Sequence, residues 1–366
     1  MRVTRVSARD FRNLERVEAP LAEAVTVVHG PNGAGKTNLL EALYFGCTAR
    51  SCRTSNEREL VHFGTKVARV EVDVEAEDGP HRLEVGLEPG DAKRVRIDGA
   101  AAAGPASGDV RPLVSVFMPD RLDLVKGAPA LRRAHLDQLV VALWPSRVAN
   151  RSAYSRALSQ RNALIARVRS GAAPPDLLDT WDTELARAGV ALMADRREAC
   201  ALAGPRFQER AADLGLPEEA TLAYRPRSRA TAADELRAEL AERRGEDLAR
   251  GFSAHGPHRD ELLLTHAGRP LRAYGSQGQQ RLGLLALLFA ERDVLLDARG
   301  LPPLMLLDDV MSELDLARRE RLVELLATGG QAVITTTDLD HVPGAADSAV
   351  GALAVMSGRL APEPVA

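Results

Sequence analysis

Hydrophobic and polar positions change rhythm three times along the chain. Residues 25–29 form a short β-branched apolar run that predicts a buried strand, and helical spacing over 37–45 predicts a helix, with a glycine-rich turn between them. Val70, Val72 and Val74 then alternate with Glu71, Asp73 and Glu75, followed by Leu83, Val85 and Leu87 and by Val95 and Ile97. This period of two, interrupted by Asp78-Gly79-Pro80 and Pro89-Gly90-Asp91, predicts an antiparallel meander with one face in water. Residues 113–118 read as a further buried strand.

From about 121 to 251 the pattern becomes alanine, arginine, leucine and glutamate at helical spacing, which predicts an inserted, mainly helical domain. Gly171 with Pro174 and Pro175, Gly204-Pro205, and Gly215 with Pro217 are expected to break it into helices of ordinary length. Strand rhythm returns over 261–265 and 269–273, a hairpin about Ala267-Gly268, then comes a helix over 277–299 and strands over 304–307 and 332–335. The expected fold class is α/β, a head of mixed sheets and helices in two segments, 1–120 and 251–366, with a helical domain at 121–250 inserted.

Composition agrees with a folded chain: of 366 residues, 45% are hydrophobic and 27% charged, which excludes wholesale disorder and coiled-coil rods. Three cysteines in no paired spacing point to a reducing cytoplasm, and the charged first twenty residues lack the apolar centre of a signal peptide. No apolar run approaches the roughly 20 residues that span a bilayer, so no membrane segment is expected. The formal charge of −3 gives no global basic field, so any nucleic-acid contact must be local. Only four of the 48 basic residues are lysines, which makes a lysine inside a motif conspicuous.

Lys36 is such a lysine. Gly30-Pro31-Asn32-Gly33-Ala34-Gly35-Lys36-Thr37 fits GxxxxGK[ST] between a predicted strand and a predicted helix, the context a phosphate loop requires. Glycines let backbone N–H groups close around a phosphate chain, and the helix amino terminus adds a favourable dipole. Lys36 is expected to bridge the β- and γ-phosphates of ATP and Thr37 to ligate Mg²⁺. Asn32 either serves the tight turn or points at the γ-phosphate. Asp308 and Asp309 end the apolar run at 304–307. Asp308 is expected in the metal's shell; Asp309, on the opposite strand face, is expected to orient or deprotonate the attacking water.

Ser276-Gln277-Gly278-Gln279 opens the apolar helix. Ser276 and Gln279 fit a capping box, and a serine-capped helix terminus beside a glycine is also a place for a γ-phosphate.

With these three elements the chain resembles ATP-binding-cassette head proteins of the SMC type, and within them the RecF family of bacterial recombination mediators. The resemblance rests on Asp10-Phe11-Arg12-Asn13, the phosphate loop with Asn38, Ser51-Cys52-Arg53-Thr54, and Phe117-Met118-Pro119-Asp120 leading to Leu124-Val125-Lys126-Gly127 and Arg132-Arg133. It continues in Gly256-Pro257-His258-Arg259-Asp260, residues 276–281, Leu306-Leu307-Asp308-Asp309-Val310, Ser312-Glu313-Leu314-Asp315 and Thr335-Thr336-Thr337-Asp338. The sequence departs from the wider cassette pattern in four places. Gln277 replaces a glycine, Asp309 replaces a glutamate, Thr336 or Thr337 stands where a histidine switch is usual, and no glutamine marks the loop at Pro119-Asp120.

The resemblance implies an ABC-type P-loop ATPase head in which Arg12 and Asn38 join the ATP site. It implies a homodimer that sandwiches ATP, the signature of one copy facing the phosphate loop of the other, and slow hydrolysis that times release. It further implies binding of double-stranded and gapped DNA and a RecR-type mediator that directs RecA loading. Candidate DNA contacts are Arg53, Arg132, Arg133, and Arg147, Arg151 and Arg161 of a segment with six arginines and no acid at 147–169; Tyr154, Leu158 and Ile165 share that helix face, so the arginine stems alternatively cover core. Two other classes use the same loop and acidic pair: the ATPase subunit of a transporter, and a DNA-binding scaffold in which nucleotide is structural.

Overall fold

The computed structural model describes residues 1–102, 110–118, 122–216, 218–345 and 350–361. Pro119, Asp120 and Pro217 lie outside them. The first part of the chain carries β1 (Arg2–Phe11), β2 (Leu14–Pro20), β3 (Val25–His29), α1 (Lys36–Thr48), β4 (Ala68–Ala76), β5 (Gly79–Leu87), β6 (Arg94–Ile97), β7 (Ala100–Ala101) and β8 (Val114–Phe117). Next come α2 (Asp123–Lys126), α3 (Pro129–Leu143), α4 (Val148–Arg169), α5 (Leu178–Asp213), β9 (Ala220–Arg225), α6 (Ala233–Glu242) and α7 (Arg244–Arg250). They are followed by β10 (Glu261–His266), β11 (Arg269–Pro270), α8 (Leu271–Tyr274) and α9 (Gln277–Arg299). The chain closes with β12 (Leu304–Leu307), α10 (Leu316–Ala327), β13 (Ala332–Thr336), β14 (Val350–Met356) and β15 (Arg359–Leu360).

The chain divides into one compact unit of Met1–Arg121 with Leu295–Ala366 and a second of Leu122–Val294. The middle unit therefore continues past the boundary expected at 250. Its extra length has a physical reason: β10 pairs along its whole length with β9, Glu261 opposite Arg225 through His266 opposite Ala220, so the hairpin belongs to the helices that flank β9.

The first unit holds two sheets. One is antiparallel, in the order β2-β1-β4-β5-β6-β7, and includes the meander that alternation predicts. The other runs β15-β14-β3-β13-β12-β8, with β3, β8, β12, β13 and β14 parallel. Helix α1 is buried on nearly every side through Leu39, Leu40, Ala42, Leu43, Phe45 and Cys47. Its Gly46 is dictated by packing, since a Cβ there would stand 2.4 Å from Val72 Cγ2. The sequence pattern does not announce strands β1 and β2. The cause in β1 is a bulge between Val3 and Arg5, which shifts phase so that Val3 and Val6, three residues apart, both face the core.

In the second unit α4 and α5 meet where predicted, broken by Gly171 to Pro175. Gly204-Pro205, by contrast, does not end α5, which runs through it for 36 residues. Packing overrides the break: Ala203, Phe207 and Ala211 are fully buried around it. The second arm of the 261–273 hairpin shortens to β11 and then coils into α8. Among the described residues, no helix is long and apolar enough to cross a membrane.

Candidate nucleotide site

Parallel strands β3, β13 and β12 end side by side, with Thr336 opposite His29 and Leu307 opposite Ile334. The crevice outside such carboxyl ends is where open α/β sheets hold ligands. Beyond β3, Gly30, Gly33 and Gly35 all take positive φ, of 147°, 80° and 114°. At Gly30 a Cβ would lie 2.2 Å from the carbonyl oxygen of Val355, and at Gly35 one would lie 2.9 Å from Asn13 Oδ1. Helix α1 starts at Lys36 with no side-chain cap and no acid in its first turn, so its leading N–H groups and dipole face the loop. Pro31, Asn32 and Gly33 are exposed at the tip, whereas Ala34 is buried with its carbonyl accepting from Gly358 N at 2.7 Å.

The Lys36 ammonium donates to the carbonyls of Gly30 at 2.7 Å and Pro31 at 3.0 Å. Burial lowers its pKa, and the charges of Asp309 and Asp308 oppose that shift. Thr37 Oγ1 lies 2.9 and 3.0 Å from the two carboxylate oxygens of Asp308. Burial raises the Asp308 pKa; hydrogen bonds from Thr335 and Thr37 pull it back, and the neighbouring Asp309 charge raises it further. Asp309 has φ 45°, a left-handed backbone that aspartate tolerates better than most residues, and its Oδ1 is buried without a hydrogen-bond partner. Strain and an unpaired carboxylate oxygen together make Asp309 a candidate functional position.

Sequence reasoning quotes Thr335 in a motif but gives it no role. Its hydroxyl donates to Asp308 Oδ1 at 2.7 Å and accepts from Asp309 N at 2.9 Å, so it ties the Asp308 carboxylate to the backbone of Asp309. Strand register alone carries the signal, because Thr335 follows the residue opposite Leu307. Of the two threonines expected as a switch, Thr336 is buried with its hydroxyl on Asp338 O at 2.8 Å, while Thr337 is exposed just past the strand.

Arg12, also at positive φ, makes a bidentate pair with Glu41, both bonds 2.9 Å. Glu41 is fully buried and also takes Ser51 Oγ at 2.5 Å and Arg53 Nη1 at 3.1 Å. Arg53 donates to Asn38 Oδ1 at 2.8 Å, and Asn38 donates to Asn13 Oδ1 at 2.7 Å. Arg12, Asn38 and Arg53 thus form one network beside the phosphate loop. No cluster of three or more His, Cys, Asp or Glu able to hold a metal occurs among the described residues. Thr37 and Asp308 fit a magnesium ion, which usually takes one or two protein ligands and completes its shell with phosphate oxygens and water.

In the second unit, Ser276 and Gln279 form the predicted capping box, Ser276 N to Gln279 Oε1 at 2.8 Å and Gln279 N to Ser276 Oγ at 3.2 Å. Ser276, Gln277 and Gly278 are exposed.

Two expected DNA contacts are corrected. Arg132 is 2% exposed, clamped on Glu261 at 2.7 and 3.0 Å and on the carbonyls of Val125 and Gly127. Arg161 is 0% exposed and lies 2.6 Å from both Asp182 and Asp247. The face of α4 that carries Arg161 is the core face, where Tyr154 and Ile165 are buried too. Arg147 sits over the Trp144 ring and pairs with Glu198 at 2.6 Å; Arg151 pairs with Asp137 at 3.3 Å; Arg133 donates to Asp260 O at 2.8 Å.

Residues 2–359 match the family model described as RecF/RecN/SMC N terminal domain. A protein of Streptomyces avermitilis named DNA replication and repair protein RecF is 41% identical, the match covering 94% of this chain and 95% of that protein. Its namesake from Myxococcus xanthus is 39% identical over 99% of this chain and 97% of its own. The solved structure of the recombination mediator protein RecF with ATP in the RecFOR pathway superposes with a TM-score of 0.85 at 26% identity, covering 98% of this chain and 97% of that one. An Smc head bound to the C-terminal winged-helix domain of ScpA shares the fold alone, at TM-score 0.59 and 17% identity. The chain belongs to the RecF/RecN/SMC N-terminal domain family and, within it, to the RecF proteins.

Proposed function

We propose that the chain is an ATP-dependent DNA-binding clamp of recombinational and replication-gap repair, which binds ATP, dimerises on it and hydrolyses it slowly, and which assists RecA loading with a RecR-type mediator on duplex or gapped DNA. The observation that carries the reading is the arrangement at the strand ends: a glycine cradle, Lys36, the Thr37–Asp308–Thr335 chain and the unpaired oxygen of Asp309.

Lys36 and the N–H groups of α1 bind the phosphate chain. Thr37 and Asp308 would hold Mg²⁺, which when bound neutralises phosphate charge. Asp309 accepts a proton from the attacking water or orients it, and Thr335, through its single hydroxyl, holds the Asp308 carboxylate against the backbone N–H of Asp309. The exposed Ser276–Gly278 tip completes the γ-phosphate site of a second copy. Because ATP then binds the closed dimer better than the monomer, it favours association by that difference in affinity, and hydrolysis removes it. A purely structural nucleotide leaves the free oxygen of Asp309 without a task, and a transporter subunit leaves the second unit of Leu122–Val294 without one.

Sedimentation of the protein with ATP, with ADP and with gapped DNA tests the reading: dimer with ATP only, and DNA bound by that dimer, are expected. A monomer under all three conditions overturns it. Lys36→Met is expected to weaken ATP binding at least about tenfold and dimerisation with it, from loss of a charge-assisted bond of about 1.5–3 kcal/mol. Ser276→Arg should leave each monomer's affinity for labelled ATP unchanged while abolishing the ATP-induced dimer; weakened monomer binding would contradict a role in trans.

A further inference from the structure

Register across the antiparallel sheet aligns its exposed side chains in rows. Arg16 of β2 stands opposite Arg9 of β1, Arg9 opposite Arg69 of β4, Arg69 opposite Gly86 of β5, and Gly86 opposite Arg94 of β6. Four guanidiniums and no carboxylate therefore form one line across five strands, about 19 Å long at ~4.8 Å per strand. Like charges directly opposite one another destabilise a sheet, so Arg16 against Arg9 and Arg9 against Arg69 do not favour the pairing of these strands.

Two residues further along each strand the row reads Glu18, Ser7, Glu71, Glu84 and Arg96; beyond it Asp73 takes both Arg5 and Arg82 at 2.8 Å. In the arginine row, by contrast, Arg69 and Arg94 have no carboxylate partner among the described residues. Arg9 reaches only its neighbour Asp10 at 3.7 Å, and Arg16 only Glu18 at 3.2 Å, with 69% and 78% of their side chains exposed.

At the same end of the sheet the turn from His62 to Thr65 holds up Phe63, which is 99% exposed. The turn is anchored on β1: His62 N donates to Asp10 O at 2.8 Å, and His62 Nδ1 lies 2.7 Å from Arg12 O. Gly64 supplies the positive φ of 88° that closes it, so a large aromatic is presented to water on a fixed support. Lys66, exposed two residues on, also has no carboxylate partner among the described residues.

We infer that the arginine row formed by Arg16, Arg9, Arg69 and Arg94 is a track for the phosphodiester backbone of a single nucleic-acid strand, with Phe63 stacking on one of its bases. The inference rests on the DNA-binding reading and assigns it a surface. Guanidiniums match phosphate geometry, and exposed cations in line with an aromatic are what single-strand binding uses. The choice of one strand follows from width: the flanking row of Glu18, Glu71 and Glu84 repels a second backbone and leaves a track one backbone wide.

Fluorescence anisotropy of a labelled 30-nucleotide single strand, its duplex and a gapped duplex, at several salt concentrations with the full chain and ATP, tests this. Arg69→Glu with Arg94→Glu should weaken single-strand binding at least about 30-fold and lower the slope of log K against log salt by about 1.4, roughly 0.7 for each phosphate no longer neutralised. Arg69→Gln with Arg94→Gln should do the same more weakly, Phe63→Ala should cost about tenfold without changing the slope, and Arg82→Glu should leave binding as it was. Wild-type affinity in the double glutamate variant, its ATP-induced dimer intact, overturns the track alone, as does weakening confined to duplex. Failure of the unaltered protein to bind any of the three DNAs overturns the DNA reading and the track together.

Discussion

Asp309→Asn is expected to slow ATP hydrolysis by about 100-fold or more while ATP still binds and still drives dimerisation. The magnitude follows from what a positioned proton acceptor contributes, about 10²–10⁴-fold, and from the geometry that leaves Asp309 Oδ1 buried without a partner. The substitution isolates the chemistry because of the backbone. With φ 45° the position disfavours alanine or leucine, whereas asparagine accepts the left-handed region as readily as aspartate, so the hydrogen bond from residue 309 N to Thr335 Oγ1 at 2.9 Å survives. Electrostatics give the sign for binding. The Asp309 charge opposes both the ionisation of Asp308 and the arrival of a polyanion; removing it lets Asp308 ionise more easily and does not weaken ATP binding. Single-turnover phosphate release beside sedimentation with ATP separates the two effects. Hydrolysis within a few fold of the unaltered protein, with dimerisation retained, would assign the water to another residue.

What can be read from sequence, and what cannot, divides along the range of the interactions. The phosphate loop, Asp308 and Asp309 are legible because their chemistry demands particular side chains at contiguous positions, and the capping box at Ser276 and Gln279 spans only one turn. Thr335 is not legible, since its role comes from lying beside Asp308 across two parallel strands joined through α10. Glu41 is hidden for the same reason: a carboxylate in an apolar helix becomes the anchor of Arg12, Ser51 and Arg53 only once β1, α1 and the following loop meet. Strand β9 escapes because its partner β10 lies beyond two helices, and the segment around it keeps helical spacing. The arginine row shows the converse. Each of its members looks like an ordinary exposed strand residue, and only the register across five strands makes them a line.

Arg161 shows how far a correct helical face can mislead when the partners are distant, and its replacement carries the second large effect. Arg161→Ala should destabilise the second unit by about 3–5 kcal/mol, because it leaves Asp182 and Asp247 buried at 1% exposure and short of their shared cation. Arg244 still reaches Asp182 at 2.6 Å, so the greater damage falls on Asp247, whose other oxygen is committed to the backbone N–H of Ala254. Asp247→Asn added to Arg161→Ala should recover part of the stability, since it removes the uncompensated charge. The readout is selective by composition: the chain's two tryptophans, Trp144 and Trp181, both lie in this unit, so urea unfolding followed by tryptophan fluorescence reports on it and not on the nucleotide-binding unit. A midpoint within error of the unaltered protein would return Arg161 to the surface and to the candidate DNA contacts; a large shift, with labelled ATP bound as before, fixes it as the central cation of a buried helical core.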